Sequence, residues 1–380
     1  MRISLVSSAL VAALVGYGST IALVLSAAVA VGATPDQTAS WLLAVCLAKA
    51  AGSAILSTYH RIPMVLAWST PGTALIAATT DVTMSETVAA FITAGLLIAM
   101  TGAVHPLGKL IAKIPDGLAA AMLAGVLLPF CLRGAGAAHA APVLIVPMVG
   151  VFVLVRLWNP SLAVLAALFT GLGLCFATGA AVWPALQVPL PRFTLIWPEF
   201  RASVVLGLGL PLYLVTMASQ NLPGFATIRA AGYEPPVRSA LMVTGGLSAL
   251  TAFVGAHTVN MAAITAAICL GDDVHPDRGQ RWKVGLFYGA AWTALGLLGP
   301  AILVLLAALP PQVMVALVAL ALLNPLMGAL TGAFAHAPQR FAAVITVAVA
   351  ASGVAAFGIG AAFWGLLAGL AVYGLERLRA

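Results

Sequence analysis

The sequence predicts an all-α integral membrane protein with fourteen transmembrane segments in two inverted seven-segment repeats, and with half-helices in segments 3 and 10. Three observations carry this reading. Of the 380 residues, 62% are hydrophobic and only 7% are charged, with a mean hydropathy of +1.10, whereas soluble domains carry roughly 25% charge. At roughly 20 apolar residues per crossing, fourteen crossings take about 280 residues and leave only short loops. Finally, the basic residues segregate to one side of the predicted topology, and the two halves of the chain resemble each other.

The segments follow from breaking the apolar runs at Pro, Gly and charge clusters. They fall at about 3–31, 38–58, 62–78, 85–104, 115–132, 141–156, 160–179, 202–222, 236–254, 256–270, 283–305, 310–333, 340–356 and 358–375. The first run, Ile3 to Val31, is about twice the length of a signal-peptide core, so it is expected to be an uncleaved span. Threading from a cytoplasmic N-terminus puts thirteen of the seventeen basic residues on the cytoplasmic side: Arg2, Arg61, Lys109, Lys113, Arg156, Arg229, Arg238, Arg278, Arg281, Lys283, Arg340, Arg377 and Arg379. Only Arg133, Arg192 and Arg201 fall outside, and Lys49 lies within a span. A miscounted span would mix the two sets, so both termini are expected in the cytoplasm.

The repeat rests on two ungapped pairings. Residues Ala67 to Ala78 align on Ala256 to Ala267, an offset of 256 − 67 = 189. Residues Ile114 to Leu128 align on Leu309 to Leu323, an offset of 309 − 114 = 195. Seven spans are an odd number, so the second half enters the membrane upside down, the plan of many secondary transporters.

Segments 3 and 10 are irregular. Each holds a short apolar helix, about Gly72 to Ala78 and Asn260 to Leu270, preceded by poor helix formers: Trp68-Ser69-Thr70-Pro71 and Gly255-Ala256-His257-Thr258-Val259. A helix that starts in mid-membrane has unpaired N–H groups that lipid cannot satisfy, so they must face a cavity or a ligand. Two such starts from inverted halves bring positive dipole ends together, and an anion suits that geometry.

The polar residues inside the spans cluster at the same breaks. Tyr17 and Ser19 interrupt segment 1; Ser69, Thr70 and Gly72 flank the first half-helix; Gln220 and Asn221 end segment 8; His257, Thr258, Asn260 and Met261 open segment 10. Intramembrane polar groups are costly unless partnered, which makes these residues binding candidates. For Tyr17 and Ser19, plain interhelical hydrogen bonding stands equally open. Lys49 either snorkels to an interface or offers a counter-charge, and both alternatives stand. Every acidic residue falls in a loop or at a span end, so the carboxylates of a usual proton relay or sodium cage are missing from mid-membrane. The proton would then ride on the substrate or on His257, since imidazole titrates near neutral pH.

Other chemistry has no visible parts. There is no Walker loop, GxSxG or HExxH, so neither an ATP-driven pump nor a hydrolase is expected. The net charge of +7 comes from residues standing singly, which speaks against nucleic acid. Cys46, Cys131, Cys175 and Cys269 lack metal or redox spacing and read as small buried hydrophobes. The Asp272-Asp273-Val274-His275-Pro276-Asp277 loop reads as solvated and salt-bridged to neighbouring Arg278, Arg281 and Lys283. No metal and no cofactor is expected.

Four stretches carry a family resemblance: Gly16-Tyr17-Gly18-Ser19-Thr20, Ala67 to Gly72, Ser219-Gln220-Asn221-Leu222-Pro223-Gly224-Phe225 with Gly232-Tyr233 after it, and Asn260-Met261-Ala262-Ala263-Ile264-Thr265. Through them the chain resembles, over essentially its whole length, the BenE family of bacterial benzoate–proton symporters, and more distantly the uracil and xanthine permeases. The resemblance implies a core domain of spans 1–4 and 8–11 (residues 1–106 and 202–308) and a gate domain of spans 5–7 and 12–14 (residues 107–201 and 309–380). Substrate would sit between the half-helices. The nucleobase permeases use glutamates on spans 8 and 10, where this chain has Gln220 and Asn260, so the resemblance places the site without supplying its coupling chemistry.

The function expected is therefore proton-coupled uptake of benzoate or a related aromatic carboxylate across the bacterial inner membrane, by a transporter and not an enzyme. The partners expected are the anionic substrate, a proton and the lipid bilayer, and the fold's relatives point to a homodimer. In the expected site, backbone N–H groups near Gly72 and Asn260 hold the carboxylate, with hydroxyls from Ser69, Thr70 and Thr258. Gln220 and Asn221 close the site, Tyr17 packs on the ring, and His257 and Lys49 are the candidate proton carriers. A nucleobase or other small-anion symporter and a passive anion channel on the same fold are the rival readings.

Overall fold

A computed structural model describes residues 3–104, 115–160, 162–184, 190–357 and 359–379. Arg2, Lys109, Lys113 and the expected boundary at 106/107 lie outside them. Segment 1 is two helices, α1 (Ile3–Gly18) and α2 (Ile21–Ala30), parted at Ser19-Thr20. Helix α3 (Pro35–His60) starts on a capping box: Thr34 Oγ1 accepts the Gln37 N–H and Gln37 Oε1 accepts the Thr34 N–H. Thr83 and Glu86 do the same for α5 (Met84–Ala103), after the strand–helix unit β1 (Leu66–Trp68) and α4 (Thr70–Ala77).

Then come α6 (Asp116–Ala140), α7 (Pro142–Trp158) and α8 (Ala163–Ala177). Helix α9 (Ala202–Ala230) contains two π turns, Val205–Gly209 and Met217–Asn221. Pro211 and Pro223 explain both: each lacks an N–H and pushes aside the carbonyl four residues back, at 207 and 219, so the helix widens there. Next are α10 (Val237–Ala252), β2 (Val259–Met261), α11 (Ile264–Leu270), α12 (Val284–Leu297), α13 (Gly299–Ala307), α14 (Pro311–Ala333), α15 (Arg340–Ala351) and α16 (Ala361–Arg379). Among the described residues, seven helices are long and apolar enough to cross a bilayer. An eighth candidate is the α12–α13 pair, bent by 52° where Pro300 interrupts the ladder.

The all-α expectation needs one correction. Strands β1 and β2 pair antiparallel, with Leu66 opposite Met261, Ala67 opposite Asn260 and Trp68 opposite Val259. Extended backbone buried among apolar helices has no water to bond, and the strand pair satisfies it. The half-helices are also shifted: the first begins at Thr70, before Gly72, and the second at Ile264, after Asn260. Asn260 and Met261 therefore belong to a strand and not to a helix N-terminus. The two strand–helix units recur at 264 − 70 = 194 residues, which matches the sequence offset of 195 and moves the 189 pairing by about one helical turn.

Close helix crossings hold the elements. Helix α5 packs on α10, α3 on α12, and α6 on α14 and α15. At the α5–α10 crossing, a Cβ on Gly95 would stand 2.5 Å from the Ala249 nitrogen, and one on Gly245 would stand 2.3 Å from the Ala99 nitrogen. Backbone thus meets backbone, as small residues permit between membrane helices.

Candidate functional site

The strand pair brings the two half-helices to one place, and side chains lace them together. Ser69 donates its N–H to the Thr258 carbonyl (3.2 Å), while its Oγ accepts the Gly72 N–H (3.1 Å) and the Thr216 hydroxyl (3.1 Å). Thr216 and Thr258 hydroxyls lie 3.0 Å apart. Asn221, buried on the second π turn, accepts the Met261 N–H at 2.9 Å. Gly224 keeps that approach open, since a Cβ there would be 2.6 Å from Met261 Cβ. The Gln-Asn-Leu-Pro-Gly run is thus a device for docking α9 against β2: Pro223 makes the π turn, and Gly224 admits the strand.

A cavity of about 820 Å³ lies beside this junction. One wall comes from α1, β1, α4, α9, α11 and α12, including Ser19, Thr20, Trp68, Thr70, Gln220, Thr265, Tyr288 and Trp292; the other comes from Leu123 on α6 and Asn324, Pro325 and Gly328 on α14. The cavity reaches the surface at Ala335 and His336, both exposed. No acceptor for the N–H groups of Thr70, Thr265 or Ala266 occurs among the described residues, so partial positive charge from both half-helix starts is left beside the cavity. A second cavity of about 310 Å³, lined by Leu75, Thr79, Arg133 and Arg201, lies at the opposite end of α4.

Of the residues singled out from the sequence, Ser19, Thr70 and Gln220 line the larger cavity. Ser69, Thr258, Asn221 and Met261 build the junction behind it, and the Gly72 N–H is already taken by Ser69. The Asn260 side-chain amide donates to the Met261 carbonyl (2.9 Å) and to Gln220 Oε1 (3.4 Å), and its buried Oδ1 has no partner among the described residues. Tyr17 packs against Trp68 and Trp292, with ring centroids 5.8 and 5.9 Å away, and lies outside the cavity lining.

His257 is fully buried between donors and acceptors. Trp41 Nε1 lies 2.7 Å from Nδ1 and can only donate, so Nδ1 accepts; Nε2 then carries the proton and donates to Thr73 Oγ1 at 2.9 Å, which donates to the Ser69 carbonyl at 2.8 Å. A second proton on the ring would set N–H against N–H. The geometry gives His257 the work of joining α3, α4 and β2.

Lys49 does not snorkel. It is fully buried on α3, its Nζ has no hydrogen-bond partner among the described residues, and it sits 3.4 Å from the Trp68 ring centroid and 3.0 Å from that of Trp292. Sequence reasoning passed over the aromatic wall that holds it. Tyr288 and Trp292 stand four residues apart on α12, a legible one-face spacing, and Asn324 beside Pro325 meets the same intramembrane-polar test that found Gln220. The Asp272 loop is salt-bridged as expected: Arg281 pairs with Asp272 and donates to the Leu270 carbonyl at 3.1 Å, placing a cation on the last turn of α11.

Apolar helices around a cavity that joins helix starts, hydroxyls and aromatic rings define a multi-pass membrane protein built to handle a small solute. The chain belongs to the benzoate membrane transport protein family, whose profile matches residues 1–375. It is therefore a membrane transport protein. It is 39% identical over 363 residues to the inner membrane protein YdcO of Escherichia coli, covering 95% of this chain and 93% of that one. It is 31% identical over 363 residues to the benzoate membrane transport protein of Acinetobacter baylyi, covering 95% and 92%. Among solved structures, the transmembrane domain of the cyanobacterium bicarbonate transporter BicA superposes with a TM-score of 0.60 at 14% identity, over 97% of this chain and 98% of that one. The murine Slc26a9 anion transporter in its inward-facing state superposes with a TM-score of 0.64 at 13% identity, over 100% and 68%. These two likenesses establish the fold, and they do not bear on the expected likeness to uracil and xanthine permeases.

Proposed function

We propose that the protein takes up benzoate or a related aromatic carboxylate together with a proton, by alternating access across the bacterial inner membrane. The observation that carries this reading is the larger cavity, where the N-terminus of α4 meets an aromatic wall of Trp68, Tyr288 and Trp292. The carboxylate would lie at the Thr70 N–H with the Ser19, Thr20 and Thr70 hydroxyls and the Gln220 amide, and its ring against the indoles. The names of the two sequence relatives support the substrate and the membrane.

In this reading the chain crosses the bilayer fourteen times as two inverted repeats, with both termini in the cytoplasm, and works as a homodimer. Residues 1–106 and 202–308 form the core that holds the cargo; residues 107–201 and 309–380 form the gate. The cavity between them opens at His336, next to the cytoplasmic Arg340, while the smaller cavity with Arg133 and Arg201 faces outward. Two cavities at opposite ends of α4 with packed helices between them support alternating access over a continuous pore.

Uptake of labelled benzoate into proteoliposomes tests the proposal. Saturable accumulation driven by an inward proton gradient, blocked by unlabelled benzoate and not by uracil, is the expected result. Transport indifferent to that gradient rejects symport, and ohmic conductance in its place identifies a channel.

A further inference from the structure

Lys49 poses a physical problem that its surroundings do not solve. An ammonium buried without a hydrogen bond or a counter-ion is among the most costly groups a membrane interior can hold. Among the described residues the groups beside it are Cys46 on its own helix, the Trp68 and Trp292 rings and His257, with Tyr17 and Tyr288 against those rings. The elements packed on α3 (α2, α10, α12, α13, the strand pair and the 278–283 turn) contain no Asp or Glu. The two indole faces favour a cation over a neutral amine, though only in part. Both of those rings line the cavity. A carboxylate in that cavity can therefore bring the missing negative charge across the Trp68–Trp292 wall.

Resting on the proposed carboxylate transport, we propose that Lys49 carries the symported proton: its amine is neutral while the cavity is empty and becomes an ammonium when a carboxylate lies against the far side of the two indoles. A proton from the loading side adds to the Nζ lone pair as the carboxylate binds. On the release side, the N–H bond breaks and the proton leaves with the carboxylate. One proton then moves with each monovalent anion, and the loaded carrier gains no net charge.

The unmodified protein provides the first test. Benzoate added to weakly buffered, purified protein at pH 8 should draw about one proton from solution per carboxylate bound, and affinity should rise about tenfold per unit fall in pH while Lys49 is neutral in the free protein. Uptake in proteoliposomes should ignore an imposed membrane potential. Lys49→Met should bind benzoate about 30-fold more weakly or worse, with the pH slope and the proton uptake both gone. Lys49→Arg, permanently charged, should keep benzoate exchange and lose gradient-driven accumulation. Wild-type protein that binds benzoate without taking up a proton overturns the inference, as does a folded Lys49→Met variant that keeps the wild-type pH slope. Absence of benzoate binding by wild type rejects the transport reading itself.

Discussion

Asn221 and Gln220 are neighbours on one π turn, and their side chains face different tasks. Asn221 holds the buried Met261 N–H, whereas Gln220 borders the cavity. Asn221→Ala leaves that N–H unpaired in the protein interior and should lower stability by about 1–3 kcal/mol, read as a fall in the thermal midpoint in detergent. Gln220→Ala should leave the midpoint in place and raise the KM for benzoate severalfold. The reverse pattern would reassign the two residues. At this scale the sequence was informative about place and silent about role. The cost of burying polar groups marked both residues, together with His257 and Asn260, but that cost is the same whether a side chain binds backbone or cargo. Direction decides it, and direction depends on a π turn set by Pro223. Lys49 shows the same limit: a lysine within a span is visible in the sequence, but the indoles that enclose it come from residues 68 and 292.

The long helices were legible because each needs a sustained apolar run bounded by Pro, Gly or charge, although the run from 283 to 305 hid the bend at Pro300. The strands were not. Three residues show no alternation, and β1 finds its partner only in the other half of the chain. The second half-helix was placed too early for the same reason, since nothing local marks Val259–Met261 as extended. Helix crossings supply a prediction here. Gly245→Val would press a side chain into the α5 backbone and should cost about 3 kcal/mol, seen as early aggregation on heating. Gly246→Ala, next to it and meeting no atom within 4 Å, should be neutral or slightly stabilising. Equal behaviour of the two variants would show that the close crossing does not limit stability.

At the scale of the whole molecule, the two strand–helix units stand about 194 positions apart, close to the offsets of 189 and 195 read from the sequence. The cavity was not readable, since its second wall comes from α6 and α14, whose apolar sequences do not advertise which face they offer. Gly328 on α14 lines that cavity with open space where a Cβ would stand. In a Cys131→Ser background, the remaining native cysteines are buried. A Gly328→Cys variant should react with an impermeant maleimide in inside-out vesicles and not in intact cells, with benzoate slowing the reaction. Labelling from the outer side would invert the proposed orientation.

The antiparallel pairing of Leu66–Trp68 with Val259–Met261, reinforced by the Ser69–Thr258 bond, ties the two half-helix starts into one body. Drawing them apart would strand several backbone groups in a solvent-free interior. On the proposed cycle the clasp around the cargo thus travels unopened, and the passenger changes sides only as α6 and α14 slide along it. A reagent that stapled the clasp shut would leave transport running, while one that pinned α14 to α9 would halt it.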